Sequence, residues 1–327
     1  MKKEITFDFT PASKTETKFI QNELLKLLVE FDGICKQNNI EYYLDGGTVL
    51  GAVRHSGFIP WDDDIDICIK YSEFIKLKKI LETEIGPNRV FSYFDQEYTH
   101  NRLFARYINS EIPHILKSVI VSANYEPGIF IDIFILDGTT KDHLKQHIKN
   151  LECSGEITHK YLNGVLGSIS LTKYIAFQLA EKILSDKKVL QHVDKKLSLH
   201  NHPDKKVDYY IPRNGWNYGV YTVDVFQTPK EVYFEGHKLP IPSKPEKYLR
   251  EHYGLEWYKL PEKEERFSRH YTVADITITT SEFMRKYNWL KDIKKVLKLQ
   301  ELRHIIQILR KKHIVNRQLK LASIQAK

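Results

Sequence analysis

The sequence predicts an α/β (α+β) protein, a sheet flanked by helices, because segments with helical and with strand periodicity follow one another along it. Thr15 to Gln37 places apolar residues at helical spacing, which predicts an amphipathic helix with one buried face. Asp64 to Ile69 alternates isoleucines with acidic residues and a cysteine, and this period of two predicts a strand. Ile129 to Phe134 is apolar apart from Asp132, which is typical of a buried strand.

The remaining patterns divide the chain into a core and additions to it. Further strands are predicted over Ile40–Leu44, Arg89–Phe94, Arg102–Ile108, Val220–Val225 and Val232–Pro240, and further helices over Thr48–Arg54, Tyr71–Ile85 and Pro245–His252. We expect Gly46-Gly47 to form a turn between the strand before it and the helix after it. The expected parts are a core over 1–140, a lysine-rich helical insertion over 141–205, a part that closes the site over 206–284 and a helical tail over 285–327.

Cysteine content and hydropathy predict a cytoplasmic protein. Cys35, Cys68 and Cys153 are few, odd in number and far apart, which argues against a disulfide framework and a cysteine-rich zinc site. The N-terminus, MKKEITFDFT, lacks the apolar run of a signal peptide. No segment reaches the roughly 20 apolar residues that a membrane span needs.

The net charge of +8 comes from the C-terminal tail. Residues 285–327 carry 13 Lys or Arg against two acids, whereas residues 1–284 carry 37 Lys or Arg against 40 acids. One interpretation of the basic, amphipathic tail is peripheral contact with an anionic membrane at the inner face of the cell. The other is a helix that packs on the domain with its charged face in solvent. Binding to nucleic acid is disfavoured, because the acidic body offers no complementary patch.

An acidic stretch within Leu44–Lys70 is the strongest functional signal. Side chains two apart in a strand point to the same face, so Asp64 and Asp66 are expected to project side by side. Two carboxylates this close repel each other unless a cation lies between them, and hard oxygen ligands suit Mg²⁺ or Mn²⁺. A calcium loop fails on spacing, because Ile67 stands where such a loop needs glycine. A solvated loop does not explain why isoleucines alternate with the acids.

Two further features fit chemistry on a phosphate group. Gly46 and Gly47 lack side chains, so backbone N–H groups and the helix N-terminus at Thr48 can approach a phosphate closely. Gly-Gly alone is a weak signal, since most such pairs are plain turns. Asp132 could complete a second metal site or accept a proton from an attacking hydroxyl. The alternative for Asp132 is an edge-strand residue that faces solvent.

Neighbouring residues are candidates for contacts to the phosphates or to the acceptor. Arg54 and His55, just before the acidic strand, could contact a diphosphate, or they could be a surface arginine beside a capping histidine. Arg266 and His270 lie four residues apart and are candidates for phosphate or acceptor contacts. Asp62 is expected to add supporting negative charge next to the substrate.

The block YYLDGGTVLGAVRHSGFIPWDDDIDI resembles the LicD family, which is related to the fukutin group within the nucleotidyltransferase fold. The resemblance continues in GIFIDIFILDG, in FEGHKLPIPSKPEKYLREHYGLEWYKLP and in the Arg266–His270 segment, so four separated blocks occur in family order over roughly residues 20–270. It implies a nucleotidyltransferase-like mixed sheet in the core over 1–140. It also implies that Asp64 and Asp66 are the metal-binding pair and that Asp132 is the third carboxylate.

The resemblance implies a reaction as well. A phospho-substituent, such as phosphocholine, would pass from a CDP-activated donor to a sugar hydroxyl, with release of CMP. The acceptor would be a cell-surface glycan (a teichoic acid, lipopolysaccharide or capsule) or its lipid-linked precursor. Transfer of ribitol-phosphate or glycerol-phosphate from the matching CDP compound is an alternative. A true nucleotidyltransferase that releases diphosphate would use the same carboxylates, and an inactive glycan- or membrane-binding scaffold would not need all three.

Overall fold

A seven-stranded mixed sheet organises the part of the chain that the computed structural model describes, residues 10–96, 103–116, 128–152, 186–201, 206–213, 219–268 and 271–274. The helices are α1 (Lys14–Gln37), α2 (Gly46–His55), α3 (Tyr71–Thr83), α4 (144–152), α5 (Asp186–Leu197) and α6 (Pro245–Tyr253). The strands are β1 (Thr10–Pro11), β2 (Tyr43–Leu44), β3 (Asp66–Lys70), β4 (Arg89–Ser92), β5 (Ala105–Asn109), β6 (His114–Leu116), β7 (Ile129–Thr139), β8 (Tyr209–Pro212), β9 (Tyr221–Thr222), β10 (Lys230–Phe234), β11 (His237–Ile241) and β12 (Tyr271–Ala274).

Helix α1 lies against the sheet through one apolar face. A capping box begins the helix: the Glu16 N–H donates to the Ser13 hydroxyl at 3.3 Å, and the Ser13 N–H donates to the Glu16 carboxylate at 2.8 Å. Its buried apolar side chains face β7 and include Ile20, Leu24, Leu27, Leu28 and Phe31. The amphipathic helix predicted from Thr15 is confirmed, and it begins one residue earlier.

The centre of the sheet brings the two predicted acidic strands together. The strand order is β2-β3-β7-β5-β4, with β3 parallel to β7 and β5 antiparallel to it. Asp66 lies opposite Asp132, and Asp132 lies opposite Arg106. Residues directly opposite one another in a sheet point to the same face, so these three form one row across three strands. The mixed α+β sheet is confirmed.

The chain beyond residue 206 returns to this sheet and then adds a hairpin beside it. Strand β8 pairs with the C-terminal half of β7, and β9 pairs with β8. The hairpin predicted over Val232–Pro240 is present as β10 and β11, and Gly236 takes φ +84° in its turn. Helix α6 begins at Pro245, as predicted from the sequence.

Three local expectations differ from the structure. Strand β3 begins at Asp66, so Asp64 lies in the segment before it, because the neighbouring β2 pairs only as far as Ile67. Gly46-Gly47 is a turn, closed by the Thr48 N–H that donates to the Asp45 carbonyl at 3.0 Å, but this turn belongs to α2, which begins at Gly46 and not at Thr48. The strand predicted over Val220–Val225 stops at β9, because Val223–Phe226 coils into a 3₁₀ turn that buries two consecutive apolar side chains.

A buried network of charged groups joins α5 to the sheet. Arg213, which is 1% exposed, donates to both carboxylate oxygens of Asp137 at 2.7 Å. It also donates to Asp194 of α5 and, at 2.9 Å, to Ser198 Oγ. Asn201 Nδ2 donates to Asp137 Oδ1 at 2.6 Å. Charged groups shielded from water therefore hold together the end of β7, the residue after β8 and helix α5.

Several predicted segments are described in part or not at all. The insertion predicted over 141–205 is described at its two ends, where α4 and α5 are helical as expected. The tail over 285–327 and the residues Arg269 and His270 lie outside the described residues. Within the described ranges, no helix combines the length and the apolar character that crossing a membrane requires.

Candidate active site

A row of three charged side chains crosses the centre of the sheet. Arg106 Nε donates to Asp132 Oδ1 at 2.6 Å, and Arg106 Nη2 donates to Oδ2 at 3.4 Å. Arg106 is buried, and its guanidinium carbon lies 3.8 Å from the centroid of the Phe130 ring. Asp132 therefore has a counter-charge inside the protein. An edge-strand position for Asp132 is excluded, because β7 has a neighbour on each side.

Asp66, the next member of the row, lies among other carboxylates. Burial raises the pKa of Asp66 well above its ordinary value. The pKa is raised further by four nearby acids, Asp64, Asp132, Asp45 and Asp62. Several negative charges thus act on one half-buried carboxyl, which is the electrostatic condition that a bound cation relieves.

The first turn of α2 fixes the position of Asp66. Thr48 Oγ1 accepts the Asp66 N–H at 3.0 Å, and the Asp66 carbonyl accepts the Asp45 N–H at 2.9 Å. Gly46 has φ +50°, and a Cβ at this position would lie 3.1 Å from Asp66 Oδ2. Glycine is therefore needed at position 46 both for its left-handed backbone conformation and for the close approach of the carboxylate.

We expect Gly46→Ala to lower the free energy of unfolding by about 1–2 kcal/mol, because alanine is strained at this φ. Activity should fall as well, because the new methyl group displaces Asp66. The matched control is Gly33→Ala in α1, where an added Cβ meets nothing within 4 Å. This control should gain about 0.5–1 kcal/mol from helix propensity. Chemical denaturation measures both variants, and equal stabilities would contradict the requirement for glycine at position 46.

The Gly46-Gly47 backbone already faces groups of the protein itself. The Gly46 N–H donates to the Tyr248 hydroxyl at 2.8 Å. A Cβ on Gly47 would lie 2.7 Å from Asp62 Oδ2, and Gln21 Nε2 donates to the Asp62 carbonyl at 2.8 Å. The N-terminus of α2 thus has a carboxylate of the chain beside it, which its dipole favours. Phosphate contacts by Gly46, Gly47 and the helix start stay a prediction.

Asp45 and Tyr248 are site residues that the sequence patterns did not single out. Both are buried, and the Tyr248 hydroxyl donates to Asp45 Oδ1 while it accepts the Gly46 N–H. Burial raises the pKa of Asp45 and also that of Tyr248. A signal was present for each residue, since Asp45 stands between a predicted strand and Gly-Gly, and Tyr248 lies in a block that carries the family resemblance.

Arg54 contacts the loop that follows α6. Its Nη1 donates to the backbone carbonyls of Lys259 at 3.0 Å and Trp257 at 3.4 Å. Its Nε donates to His55 Nε2 at 3.0 Å, so this nitrogen is the acceptor of a neutral imidazole. Burial, followed by the charge of Arg54, lowers the pKa of His55, which favours the same neutral form. The diphosphate contacts predicted for these two residues stay a prediction.

Arg266 lies close to the same loop and to Arg54. Its guanidinium carbon is 5.7 Å from the centroid of the Trp61 ring, and its Nε donates to the Pro261 carbonyl at 2.9 Å. Burial lowers the pKa of Arg54, and the charge of Arg266 lowers it further. Because Arg54 and Arg266 donate to the carbonyls of Lys259 and Pro261 in one loop, these two arginines, predicted separately, are neighbours. His270, the predicted partner of Arg266, lies outside the described residues.

A small cavity gives Asp64 and Asp132 a common space. The acidic side of its lining consists of these two residues and Asp63, and the imidazole of His114 also borders it. Asp63 is buried and accepts a hydrogen bond from Ser268 Oγ at 2.8 Å. The fold thus brings the three predicted carboxylates into one neighbourhood and adds a histidine that the sequence patterns did not indicate.

The atoms in this site that could coordinate a metal ion are carboxylate oxygens. In the ranges that the structure describes, no group of three or more His, Cys, Asp or Glu side chains is arranged to hold a metal ion. The donor chemistry nevertheless fits a hard divalent cation, since burial and then neighbouring acids raise the pKa of Asp66, and since Gly46 places no side chain next to Asp66 Oδ2. Asp64 and Asp66 are the residues that would hold Mg²⁺ or Mn²⁺.

Residues 39–160, which contain this entire row, match the family model of the LicD/FKTN/FKRP nucleotidyltransferase domain. The chain carries a LicD-family domain. The LicD domain includes Asp64, Asp66, Asp132 and the arginine that pairs with Asp132. Its mixed α+β architecture is the nucleotidyltransferase-like fold that the resemblance implied.

Relatives extend the LicD likeness beyond this domain. The lipopolysaccharide cholinephosphotransferase LicD of Haemophilus influenzae is 25% identical over 279 residues, which cover 77% of this chain and 95% of that protein. The human ribitol 5-phosphate transferase FKRP is 35% identical over 54 residues, 16% of this chain and 11% of that protein. An uncharacterized protein of Rickettsia prowazekii is 47% identical over 58 residues, 18% of this chain and 22% of that protein. The LicD domain and these relatives support a phosphotransferase activity.

Proposed function

We propose that the protein transfers a phospho-alcohol group, first of all phosphocholine, from a CDP-activated donor to a sugar hydroxyl of a cell-surface glycan or its lipid-linked precursor. The observation that carries this proposal is the row of Asp66, Asp132 and Arg106 inside a LicD-type domain. The Haemophilus relative is named as a lipopolysaccharide cholinephosphotransferase, which favours phosphocholine and a glycan. The relatives named ribitol 5-phosphate transferase keep CDP-ribitol, and by analogy CDP-glycerol, as alternative donors.

The reaction would be an in-line displacement at the phosphorus that bears the alcohol. The acceptor hydroxyl oxygen forms a bond to this phosphorus, the bond to the bridging oxygen breaks, and CMP leaves with the electron pair. A divalent cation on Asp64 and Asp66 would supply charge neutralisation at the diphosphate. Asp132, oriented by Arg106, would complete the ligand set or take the proton of the hydroxyl. Arg54 and Arg266 lie near enough to each other to face the same anionic group.

Incubation with a glycan acceptor, Mg²⁺ and in turn CDP-choline, CDP-ribitol, CDP-glycerol or ATP tests this function. We expect CMP from one of the CDP-alcohols and no diphosphate from ATP. Diphosphate release from ATP would instead identify a true nucleotidyltransferase. If neither product forms and no CDP compound raises the melting temperature, the inactive scaffold is left as the interpretation, because a ligand that binds the folded state stabilises it.

The proposed location is the cytoplasm, with the glycan reached at the inner face of the membrane. Cys35 and Cys68 are free, buried thiols, which suits a reducing compartment. The basic residues of 285–327 would provide contact with anionic lipid. Sedimentation of the full chain and of a chain ending at residue 284 with vesicles of phosphatidylglycerol distinguishes such contact from packing of the tail on the domain.

A further inference from the structure

Exposed apolar side chains concentrate in the stretch that follows α6, residues 253–267, which we name the aromatic segment. Among the described residues seven large hydrophobic side chains are exposed, and five of them lie here: Tyr253, Leu255, Tyr258, Leu260 and Phe267. Exposed apolar side chains that lie together on a surface are typical of a place where a ligand or a partner binds. The aromatic segment contributes little to the core, in which Trp257 is its only partly buried apolar member among the described residues.

The aromatic segment adjoins the carboxylates of the site. At its C-terminal end, the next residue, Ser268, donates its Oγ to the Asp63 carboxylate at 2.8 Å. At its N-terminal end, the Tyr253 ring lies 4.5 Å from the His252 ring, which stacks at 5.6 Å on Tyr248, the partner of Asp45. Tyr253 also reaches solvent, since 42% of the residue is exposed. Both ends of the aromatic segment are therefore tied to residues beside the carboxylates.

The backbone of the aromatic segment is held in place. Arg54, at the end of α2, donates to the carbonyls of Trp257 and Lys259. The Trp257 and Tyr258 rings are 6.1 Å apart, edge to face, so the two rings present adjoining surfaces in different directions. A loop fixed in this way can present aromatic faces at a constant distance from the acids, and that suits recognition better than a mobile loop does.

We propose that the aromatic segment binds the sugar ring whose hydroxyl accepts the phospho-alcohol group, and this rests on the proposed function. A pyranose offers an apolar C–H face to an aromatic ring and hydroxyl groups to neighbouring carboxylates, and the aromatic segment provides both. It contains four acids and three Lys or Arg, so it lacks the basic excess that attracts anionic lipid. This charge balance favours a glycan over a membrane surface as the occupant.

Steady-state kinetics with the preferred donor and a panel of methyl glycosides of common hexoses and N-acetylhexosamines test the proposal. Tyr258→Ala should raise the acceptor KM by about 10-fold with little change in kcat, because a contact made equally in the ground and transition states is lost. Tyr233→Ala is the matched control, since Tyr233 and Tyr258 are each 58% exposed and Tyr233 lies in the hairpin strand β10. Leu255→Ser, at a residue that is 76% exposed, is a second variant that leaves the core untouched.

A measurement of sugar binding in the absence of donor tests the aromatic segment independently of the proposed reaction. Saturation-transfer NMR with the same methyl glycosides and no donor should give signals for wild type that weaken in Tyr258→Ala and persist in Tyr233→Ala. If wild type uses no CDP compound and these signals still depend on Tyr258, the proposed function fails and the sugar site stands. Equal KM values and equal signals in the two tyrosine variants would overturn the sugar site. Loss of binding to phosphatidylcholine–phosphatidylglycerol vesicles in Tyr258→Ala, without a change in KM, would overturn it in favour of a membrane contact.

Discussion

Replacement of Asp66 by asparagine is expected to abolish transfer while it stabilises the metal-free protein. The amide preserves the shape of the side chain and removes a negative charge that four neighbouring carboxylates repel. If Asp66 is the ligand proposed above, its loss should reduce kcat by more than about 100-fold, because even groups that merely support metal ligands contribute roughly 10–100-fold. The transfer rate with Mg²⁺ and the melting temperature in EDTA measure the two effects.

The expected difference in stability between wild type and Asp66→Asn changes with pH in a defined direction. The pKa of Asp66 is raised in the folded state, so the group favours folding below its unfolded pKa, and this contribution is lost as the pH rises through the folded pKa. Wild type in EDTA should therefore fall progressively below Asp66→Asn in melting temperature as the pH increases.

Asp224→Asn is the control of opposite sign. Hydrogen bonds, first from Lys244, lower the pKa of Asp224, so its contribution is present above the unfolded pKa and is lost as the pH falls. If Asp66→Asn melts below wild type at every pH, burial and the neighbouring carboxylates do not raise the pKa of Asp66 in the folded protein.

Replacement of Arg213 by methionine is expected to lower the free energy of unfolding by about 3–5 kcal/mol, because it removes the permanent counter-charge of the buried Asp137 carboxylate. His147 Nε2, 3.7 Å from Asp137 Oδ2, is then the nearest cationic group, and it carries a charge only when it is protonated. Arg213 and Asp137 are both almost inaccessible to water. Arg213 also donates hydrogen bonds to Asp194 and Ser198. Urea denaturation followed by far-UV circular dichroism measures the loss.

Two further variants test whether the buried charge causes the loss of stability in Arg213→Met. Arg213→Met combined with Asp137→Leu should be more stable than Arg213→Met alone, because it removes the orphaned carboxylate. Arg250→Met, at an exposed arginine of α6, should change stability by no more than about 0.5 kcal/mol. Similar losses in Arg213→Met and Arg250→Met would show that the network does not stabilise the fold.

The periodicity of apolar residues was sufficient to predict helices and strands that bury one face. It was insufficient to predict the ends of a strand, because these depend on how far the adjacent strands pair with it. Helix α1 and the acidic half of β7 were predicted because each has a regular apolar pattern that the core requires. The start of β3 was predicted two residues early, because alternation continues through Asp64 whereas hydrogen bonding to β2 does not. The pattern of a strand shows which faces are apolar, and only its partners show how far it is paired.

The residues of the candidate site that could be predicted are those with a local signal in the sequence. Asp64 and Asp66 stand two residues apart, and Asp132 interrupts an apolar run, so all three were visible as unusual charges. Arg106 is 26 residues from Asp132, and Tyr248 is 203 residues from Asp45. Contacts across such distances depend on strand order and on how the C-terminal part folds back, and spacing along one sequence does not contain that information.

Strand β7 carries Asp132 near one end and Asp137 near the other, and it has paired neighbours along both edges. Amide groups enclosed in this way exchange with solvent only when the sheet itself opens. Asp132 therefore belongs to the most persistent part of the described fold, whereas backbone contacts such as those to Arg54 hold the aromatic segment in place. On warming, recognition of the acceptor would fail before the carboxylates lose their arrangement. A heat-inactivated molecule would thus keep the row of Asp66, Asp132 and Arg106 and lose the proposed contacts to the sugar.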